Sequence, residues 1–233
     1  VILATGHSAT DMLMHLHQAG VHLDGKSFAI GLRIEHPQSV INHIQYREFA
    51  NHPKLGAANY KLTHHQHSDQ SGVYSFCMCP GGCVLSSGTE SDGIVCNGMS
   101  NYSRSSKWAN SAIVVSIDHQ KLFGSDQMGG LQFRQKLEVQ AKSQVLAAGD
   151  TKQLPAQKIT DFLSKKLGSI IENSCPSGAV PTRLDELLPA HMRERLIEGL
   201  TAFEKKMPGF VSEQALLFGI ESRTSCPVRI TRD

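Results

Sequence analysis

A pair of thiols beside a glycine turn is the segment of the sequence best suited to chemistry, FCMCPGG at residues 76–82. Cys77 and Cys79 stand one residue apart at the end of an apolar run. Three interpretations compete: half of a metal site, a redox-active thiol pair, or a strand end that brings small groups against a flat ligand. Which of them holds depends on where the two side chains point.

A regular strand over residues 73–79 would place Cys77 and Cys79 on the same face and direct Phe76 and Met78 towards the core. Two residues of strand span roughly 6.6 Å, which is at the far end of the range that a disulfide tolerates. Parallel Cβ vectors make a bridge poorer still. The spacing therefore argues against a structural disulfide between the two cysteines.

Metal ligation finds little support in the spacing of the candidate ligands. Structural zinc sites combine one closely spaced cysteine pair with a second pair of the same kind, and no second pair follows Cys79 and Cys83. The histidines of segment 64–67 lie in a polar stretch that we predict to be an exposed loop. We therefore predict no metal site.

The turn that follows the thiols, Pro80-Gly81-Gly82, removes side chains just past the strand end. Backbone amides can approach a ligand closely at such a point or form a nest for an anion. A tight hairpin with buried, inert thiols explains the same residues, and it is the simpler interpretation if the residues are taken alone.

A second polar cluster lies near the other end of the sequence, where Arg223, Arg229 and Arg232 surround the segment Thr224-Ser225-Cys226-Pro227. It combines guanidinium groups, hydroxyl groups and a rigid turn, a set that suits a phosphate, a carboxylate or an electron-rich ring. A solvated strand end accounts for this cluster equally well.

Composition limits the class of protein. The chain has 233 residues, with 40% hydrophobic and 19% charged, as in an ordinary soluble globular protein. Lys plus Arg (23) nearly balance Asp plus Glu (21), which gives no electrostatic reason to expect nucleic acid or a membrane as a partner. Apolar runs fall short of the roughly 20 residues that span a membrane, and six unevenly spaced cysteines favour a reducing, cytoplasmic location.

The first elements follow the pattern of a nucleotide-binding unit. Residues 1–6 read as a short buried strand that ends in a glycine turn. Ser8 then reads as a helix N-cap, with Asp11 completing a capping-box pattern, and Gly20 ends the helix. Strand, glycine turn and capped helix are typical of nucleotide-binding α/β units, although many units that bind nothing share them.

The middle of the sequence predicts antiparallel strands. Segment 27–34 alternates between large apolar residues on one face and Ala29, Gly31 and Arg33 on the other, a face where either a ligand or another chain segment comes close. Short glycine-rich joints connect the further strands, predicted at 59–63, 73–79, 83–86, 94–97 and 112–117.

After Gly124 the apolar period becomes helical, with a stripe from Phe133 to Val145 and a second stripe, entered through Pro155, that ends at Leu167. A further stripe runs from Met192 to Met207, and Pro208-Gly209 ends it. Alternation returns at 215–220. We predict an α+β fold with four parts: 1–22, a strand-turn-helix remnant of a cofactor domain; 23–124, an antiparallel β substrate domain; 125–210, a helical insertion; and 211–233, a return strand.

The sequence as a whole resembles a known family. The resemblance lies in seven segments that occur in order along almost the whole chain: VILATGHSATD, SFAIGLRIEHPQ, LGAANYKL, GVYSFCMCPGG, NGMSNYSR, ANSAIVVSI and ESRTSCPVRI. They are similar to bacterial FAD-dependent dehydrogenases of the type labelled NAD-utilizing dehydrogenases. In that family an amino-terminal part supplies the FAD-binding β-α-β unit, and a carboxy-terminal glycine-rich segment closes over the flavin. The sequence lacks the G-x-G-x-x-G pattern, so we expect it to be a central piece of such an enzyme.

The resemblance implies roles by position, which are expectations at this point. Ala4, Thr5, Gly6, His7 and Ser8 would lie against the flavin nucleotide; Cys79 is the candidate catalytic residue; Pro80, Gly81 and Gly82 together with Arg223, Thr224 and Ser225 would approach the isoalloxazine ring. FAD would be the cofactor of the full-length protein and would not be retained by this piece alone, with NAD(P)H as a candidate electron donor.

The partners implied are the remaining parts of the same polypeptide and a small-molecule substrate of unknown type. Two other functions stay open. The chain could be a non-catalytic module that binds a ligand or a protein, or a thiol redox module that uses Cys77, Cys79 or Cys83.

Overall fold

Strands and helices of the molecule are defined within residues 2–66, 69–88, 90–149 and 152–231, the part of the chain that this computed structural model describes. The strands are β1 (Leu23–Gly25), β2 (Phe28–Pro37), β3 (Thr63–Gln66), β4 (Asp69–Cys79), β5 (Gly82–Ser86), β6 (Cys96–Ser100), β7 (Trp108–Ile117), β8 (Leu154–Lys158), β9 (Ala179–Pro181), β10 (Leu216–Glu221) and β11 (Val228–Ile230). The α-helices are α1 (Thr10–Gln18), α2 (Gln38–Tyr46), α3 (His119–Phe123), α4 (Gly129–Ala147), α5 (Ile159–Ser164), α6 (Leu184–Leu187) and α7 (Ala190–Lys206), and a 3-10 helix covers Arg47–Phe49.

Seven of the strands form one sheet in the order β3-β4-β7-β2-β10-β8-β9. All neighbouring strands in it are antiparallel except β8 and β9, which are parallel. Two antiparallel ribbons, β1–β11 and β5–β6, complete the strand pairing that the structure describes. The α+β fold with a largely antiparallel sheet is therefore confirmed.

Strands β2 and β7 form the centre of the sheet. They pair over ten residues, from Phe28 opposite Ile117 to Pro37 opposite Trp108. Alternate residues of β2, from Phe28 to Ile34, join the main hydrophobic core, to which α7 contributes as well. A Cβ on Gly31 would lie 2.2 Å from the carbonyl oxygen of Ile113, so the small residue predicted on the other face is required by the neighbouring strand.

The amino-terminal strand predicted at residues 1–6 is wrong where the structure describes it. Residues 2–6 belong to no strand and are exposed, and Val1 lies outside the described residues. A strand needs a partner for its backbone groups, and within the described ranges none pairs with this segment. Helix α1 follows as expected, but its N-cap is Ala9, with no side-chain cap bond to it in the described structure.

Two predictions for the middle of the chain are also corrected. Residues 59–62 are not part of a strand, and β3 begins only at Thr63. The histidine segment expected to be a loop forms β3 up to Gln66, whereas His67 lies outside the described residues. The strands predicted near 73, 83, 94 and 112 are confirmed as β4, β5, β6 and β7, with boundaries shifted by a few residues.

The block 125–210 contributes more than helices. Helices α4 and α7 lie where the apolar stripes predicted them, and Pro208 follows α7 closely. Pro155, expected at a helix entrance, lies in β8, and α5 ends at Ser164, so that Leu167 is exposed. Strands β8 and β9 of this block extend the central sheet. Their pairing partners are distant in sequence, which explains why local periodicity missed them.

The return segment supplies an interior strand of the seven-stranded sheet. Strand β10, predicted from the alternation at 215–220, pairs with β2 on one side and with β8 on the other. Strand β11 then pairs with β1. The bend between β10 and β11 carries Arg223, Thr224 and Ser225, and Arg223 donates from Nη1 to the carbonyl oxygen of Ser8, just before α1.

Candidate functional site

Arg223 connects the amino-terminal turn to the interior of the molecule. Its Nη1 donates to the carbonyl oxygen of Ser8 at 3.0 Å, and its own carbonyl oxygen lies 3.2 Å from His7 Nε2. Its Nη2 donates to Glu90 at 2.7 Å and to Glu138 at 2.8 Å. The structure thus brings together two of the segments expected near a cofactor, the turn 4–8 and the segment 223–225.

An open cleft lies beside this junction. It has a volume of about 670 Å³. Its lining combines two of the predicted residues with three carboxylates and two small residues: Thr5, Ser8, Ala9, Asp11, Glu90, Ser91 and Asp92. Burial raises the pKa of Glu90, but the Arg223 charge together with hydrogen bonds, among them those from Arg223 and Thr10, holds it below its ordinary value. The cleft is therefore rich in anionic hydrogen-bond acceptors.

A second buried guanidinium lies behind the cleft. Arg134 of α4 donates from Nη2 to Thr10 Oγ1 at 3.0 Å, and its Nε lies 3.6 Å from Glu138 Oε1. Its Nη1 is buried without a hydrogen-bond partner among the described residues. Burial and the nearby Arg223 lower the pKa of Arg134. Glu138 therefore serves two arginines, and it also accepts from Ser222 Oγ at 2.5 Å.

The polar network continues into the sheet through Arg33. This fully buried side chain donates from Nε to Glu221 Oε2 at 2.8 Å and from Nη1 to Asn110 Oδ1 at 2.7 Å. Its Nη2 reaches Asn97 of β6 at 3.3 Å. Although burial opposes ionisation, Glu221 raises the pKa of Arg33 above its ordinary value. Arg33, which the sequence predicted on the face of small residues, is thus bound by other side chains of this chain.

Cys79 lies at the far end of this network. It is opposite Asn110 in the pairing of β4 with β7 and is buried. Burial raises the pKa of the Cys79 thiol, and the Arg33 guanidinium partly counteracts that rise. Cys79 is therefore linked through Arg33 to Glu221, which precedes Ser222, a hydrogen-bond partner of Glu138.

The turn after Cys79 packs against other parts of the chain. The Gly81 amide donates to Gln38 Oε1 at 2.7 Å, and Ser100 Oγ donates to the Pro80 carbonyl oxygen at 2.7 Å. A Cβ on Gly81 would lie 1.8 Å from the Arg104 carbonyl oxygen, and one on Gly82 would lie 2.1 Å from that of Met99. Neighbouring backbone occupies the space beside the two glycines. The approach of a flavin ring to Pro80, Gly81 and Gly82 stays a prediction.

Thr224 and Ser225 lie in the bend after β10. Thr224 Oγ1 donates to the carbonyl oxygen of Ala29 on β2, which fixes the bend to the sheet. Ser225 is partly buried. Their predicted contact with a flavin ring stays a prediction, as do the roles of Ala4, Thr5 and Gly6, which are exposed.

Because of a β-bulge, the side chains of Cys77 and Cys79 point in other directions than the sequence predicted. Cys77 has a φ of +48°, and the pairing register shifts between Phe76 and Cys79. As a result Cys77 is exposed whereas Cys79 is buried, and Phe76, expected in the core, is 42% exposed. The prediction that both thiols share one face is therefore wrong, because it assumed a regular strand.

Several members of the network were not predicted from the sequence. Arg134 follows Phe133, and Glu138 follows Leu137, in the apolar stripe of α4. Charged residues beside a buried helix face were the signal that could have identified these two residues. Glu90 lies in a glycine-rich loop and gave no local signal. Glu221 precedes Arg223 by two residues, on the last position of β10.

Metal and membrane binding can be judged for the described part of the chain. There, no group of three or more His, Cys, Asp or Glu side chains is arranged to hold a metal ion. None of the described helices combines the length and the apolar character needed to cross a membrane.

Comparison with known proteins gives the cofactor class. Residues 27–224 match the family model described as "FAD-dependent protein, C-terminal domain-like". The chain is also 44% identical, over 237 aligned positions, to an uncharacterized protein of Clostridium beijerinckii; the alignment covers 100% of this chain and 44% of that relative. The chain therefore spans less than half the length of this relative. Since the family model covers the sheet and most of the polar network, the chain belongs to the family of FAD-dependent protein C-terminal-like domains.

Proposed function

We propose that this chain forms the substrate-side wall of the flavin pocket in an FAD-dependent oxidoreductase, and that other parts of the full-length protein complete the pocket. One observation carries the proposal. Arg223, from one segment expected near a cofactor, donates to the carbonyl oxygen of Ser8 in the other, and Ser8 lines an open cleft beside this contact. The family match, which names FAD dependence, supports the same assignment.

The residues around the cleft fit one part of FAD better than the others. Carboxylates accept hydrogen bonds from ribose hydroxyls, as in dinucleotide-binding folds, and Asp11, Glu90 and Asp92 offer such acceptors. The pyrophosphate is anionic and would be repelled by them. The cleft therefore suits a ribose or the ribityl chain, with Thr5 and Ser8 as further hydrogen-bonding groups, and the phosphates must be neutralised elsewhere.

FAD and this chain would have different roles in the reaction. When bound, FAD supplies the transfer of electrons or a hydride. This chain would orient the nucleotide through the turn 4–8, exclude water with the sheet, and fix charge through Arg33 and Arg223. Because both arginines are already paired with buried carboxylates, their charges are preorganised and little rearrangement is needed on binding.

Flavin binding by the full-length protein is the decisive test. We expect the purified protein to carry FAD, visible as a flavin absorption band. Thr5→Val combined with Ser8→Ala should weaken FAD binding about thirtyfold, since each of the two lost hydrogen bonds is worth roughly 1 kcal/mol. Thr201→Val, which makes the same change on the exposed side of α7, should leave the Kd unchanged. A full-length protein that neither carries nor binds FAD would overturn the proposal.

A nicotinamide donor belongs to the same proposal, and it rests on the sequence resemblance alone. Anaerobic mixing of the FAD-loaded protein with NADH or NADPH should bleach the flavin band. If neither nucleotide does so while a chemical reductant does, the donor is of another class and only this extension is lost.

A non-catalytic binding module is the second candidate, and the geometry does not favour its anion-binding form. Arg223 pairs with Glu138 and Glu90, and the Gly81 amide donates to Gln38. The groups that would capture an anion are thus already engaged within the chain. The outcome of the FAD titration separates this candidate from the first.

A further inference from the structure

The bulge in β4 compresses the strand where its two cysteines lie. Phe76 is opposite Ala112 and Cys79 is opposite Asn110, so three steps along β4 occupy the length of two steps along β7. The positive φ of Cys77 marks the extra residue. Such bulges bend a strand and re-aim its side chains.

Compression brings the thiols nearer than a regular strand would. If three residues share the length of two, the spacing of Cys77 and Cys79 along the strand falls from roughly 6.6 Å to roughly 4.4 Å. The two cysteines are therefore closer along the strand than regular pairing would place them. In the structure, Cys79 Sγ donates to the carbonyl oxygen of Cys77 at 3.3 Å.

The Cys77 thiol also acts on Cys79. Burial raises the pKa of Cys79, Arg33 opposes the rise, and the adjacent Cys77 thiol adds to it through its charge and a hydrogen bond. A hydrogen bond between the two thiols requires that their side chains be close. The two side chains differ in exposure, yet Cys79 Sγ lies against the backbone of Cys77.

The pair is asymmetric in a way that suits thiol–disulfide exchange. Cys77 is exposed and can meet a reactant from solvent, whereas Cys79 is buried beside a guanidinium. The Arg33 charge partly offsets the burial that disfavours the Cys79 thiolate, which is the attacking species of the second step. The exposed residue is therefore suited to the first exchange step and the buried one to the second.

We propose that Cys77 and Cys79 form a redox-active dithiol that exchanges with small-molecule disulfides. In the first step the Cys77 thiolate attacks one sulfur of the disulfide, a mixed disulfide forms, and one thiol leaves. In the second step the Cys79 thiolate attacks the Cys77 sulfur and the second thiol leaves. The protein loses two electrons and two protons, and the small disulfide is reduced to two thiols. The proposal goes beyond the flavin assignment, since neither step uses a flavin.

Cys83 provides the internal control for this assignment. It lies on β5, opposite Met99, and is partly buried. Burial raises its pKa, and the neighbouring Glu35 and Cys175 raise it further. An adjacent carboxylate disfavours the Cys83 thiolate, whereas Cys79 has an adjacent guanidinium. Cys83 should therefore take little part in the exchange.

The test uses the reduced full-length protein with oxidised glutathione as the probe disulfide. After acid quenching and alkylation, cleavage behind Phe76 and Leu85 releases peptide 77–85, which contains all three cysteines. We expect this peptide to lack the mass of two hydrogen atoms and to be alkylated only at Cys83. Cys79→Ser should instead accumulate the glutathione adduct at Cys77 by at least about tenfold over the wild type, because the second step is lost.

Two further variants make the result decisive. Cys77→Ser should yield no adduct at Cys79, which is buried, and Cys83→Ser should behave like the wild type. The proposal fails if wild-type protein keeps a stable adduct at Cys77, if Cys77 bridges to a different cysteine, or if Cys77 does not react. Because the wild-type protein alone distinguishes these outcomes, the test does not depend on the folding of any variant. The dithiol proposal can also fail while FAD binding is retained.

Discussion

The Arg223 guanidinium makes a forked contact with the Glu138 carboxylate, with Nε 3.0 Å from Oε1 and Nη2 2.8 Å from Oε2. The two residues are 85 positions apart in sequence. This contact fixes the bend after β10 to helix α4, and through Ser8 it also positions the amino-terminal turn. The forked geometry is specific to arginine, so a change at either residue should affect both the interior and the turn.

Glu138→Gln should destabilise the protein by about 3 kcal/mol or more. The change leaves Arg134 and Arg223 without their shared countercharge in a buried environment, and breaking one partner of a buried pair has that order of cost. The free energy of unfolding from urea titration measures it. Glu172→Gln, which removes the exposed partner of Lys107, should change stability by about 0.5 kcal/mol or less. Equal effects of the two changes would contradict the assigned role of Glu138.

Arg223→Lys should loosen the first turn of α1 while preserving the charge. Lysine cannot reproduce the fork, and the bond to the Ser8 carbonyl oxygen is lost. The amides of Thr10 and Leu13 donate to the carbonyl oxygens of Ser8 and Ala9, so their hydrogen exchange should accelerate about tenfold. Arg229→Lys, on an exposed pair with Asp24, should leave their exchange rates unchanged. Unaltered exchange in Arg223→Lys would show that Arg223 does not hold the turn.

Stability should fall with rising pH because of Glu35. Burial raises the pKa of this carboxyl to about 7 from its ordinary value of 4.5, while hydrogen bonds from Ser174 oppose the rise. The folded state therefore retains a proton that the unfolded state has lost, so the stabilisation is complete below pH 4.5 and is lost as pH rises through about 7. The shift corresponds to about 3 kcal/mol as an order of magnitude.

Glu35→Gln isolates this effect. The free energy of unfolding of the wild type relative to the variant should decline by about 3 kcal/mol between pH 4.5 and about pH 8. Urea titrations of both proteins at the two pH values measure the decline, with Glu172→Gln as a control that should show none. A difference independent of pH would mean that Glu35 titrates in its ordinary range.

Gly81→Ala tests whether the turn after the thiols is a packed element of the fold. Gly81 has a φ of +54°, and an added Cβ would meet the Arg104 carbonyl oxygen. The left-handed backbone alone costs alanine about 1–2 kcal/mol, and the collision adds to it, so we expect a loss of about 3 kcal/mol or more. Gly56→Ala, where nothing lies within 4 Å, should be neutral or slightly stabilising. A neutral result at Gly81 would mean that the backbone there can move, as an approaching ligand would require.

The sequence was informative where the chemistry is local. The alternation in 27–34 and the apolar stripe of α4 predicted β2 and α4 because side-chain period follows backbone geometry. The motif segments pointed correctly to an FAD-dependent family, and they included both halves of the contact between Arg223 and the turn at Ser8. Local patterns could not reveal that Glu138 and Glu90 join that contact, since these residues meet Arg223 only through the tertiary fold.

The residues around Cys77 and Cys79 show where prediction from the sequence failed. A regular strand was the reasonable expectation for the residues before Pro80, and one left-handed residue, Cys77, reversed the exposure of the side chains around it. A bulge depends on how two strands end relative to each other, and β7 is about thirty residues away in sequence. Likewise β8 became a strand because β10 pairs with it, although the neighbouring stripe was helical.

The position of β10 in the sheet has a consequence for biosynthesis. Strand β2 is translated almost two hundred residues before β10, which pairs with one of its two edges. Until β10 is made, β2 and β8 both lack this partner, and such open edges associate readily with other chains. Completion of the sheet during synthesis must therefore await β10.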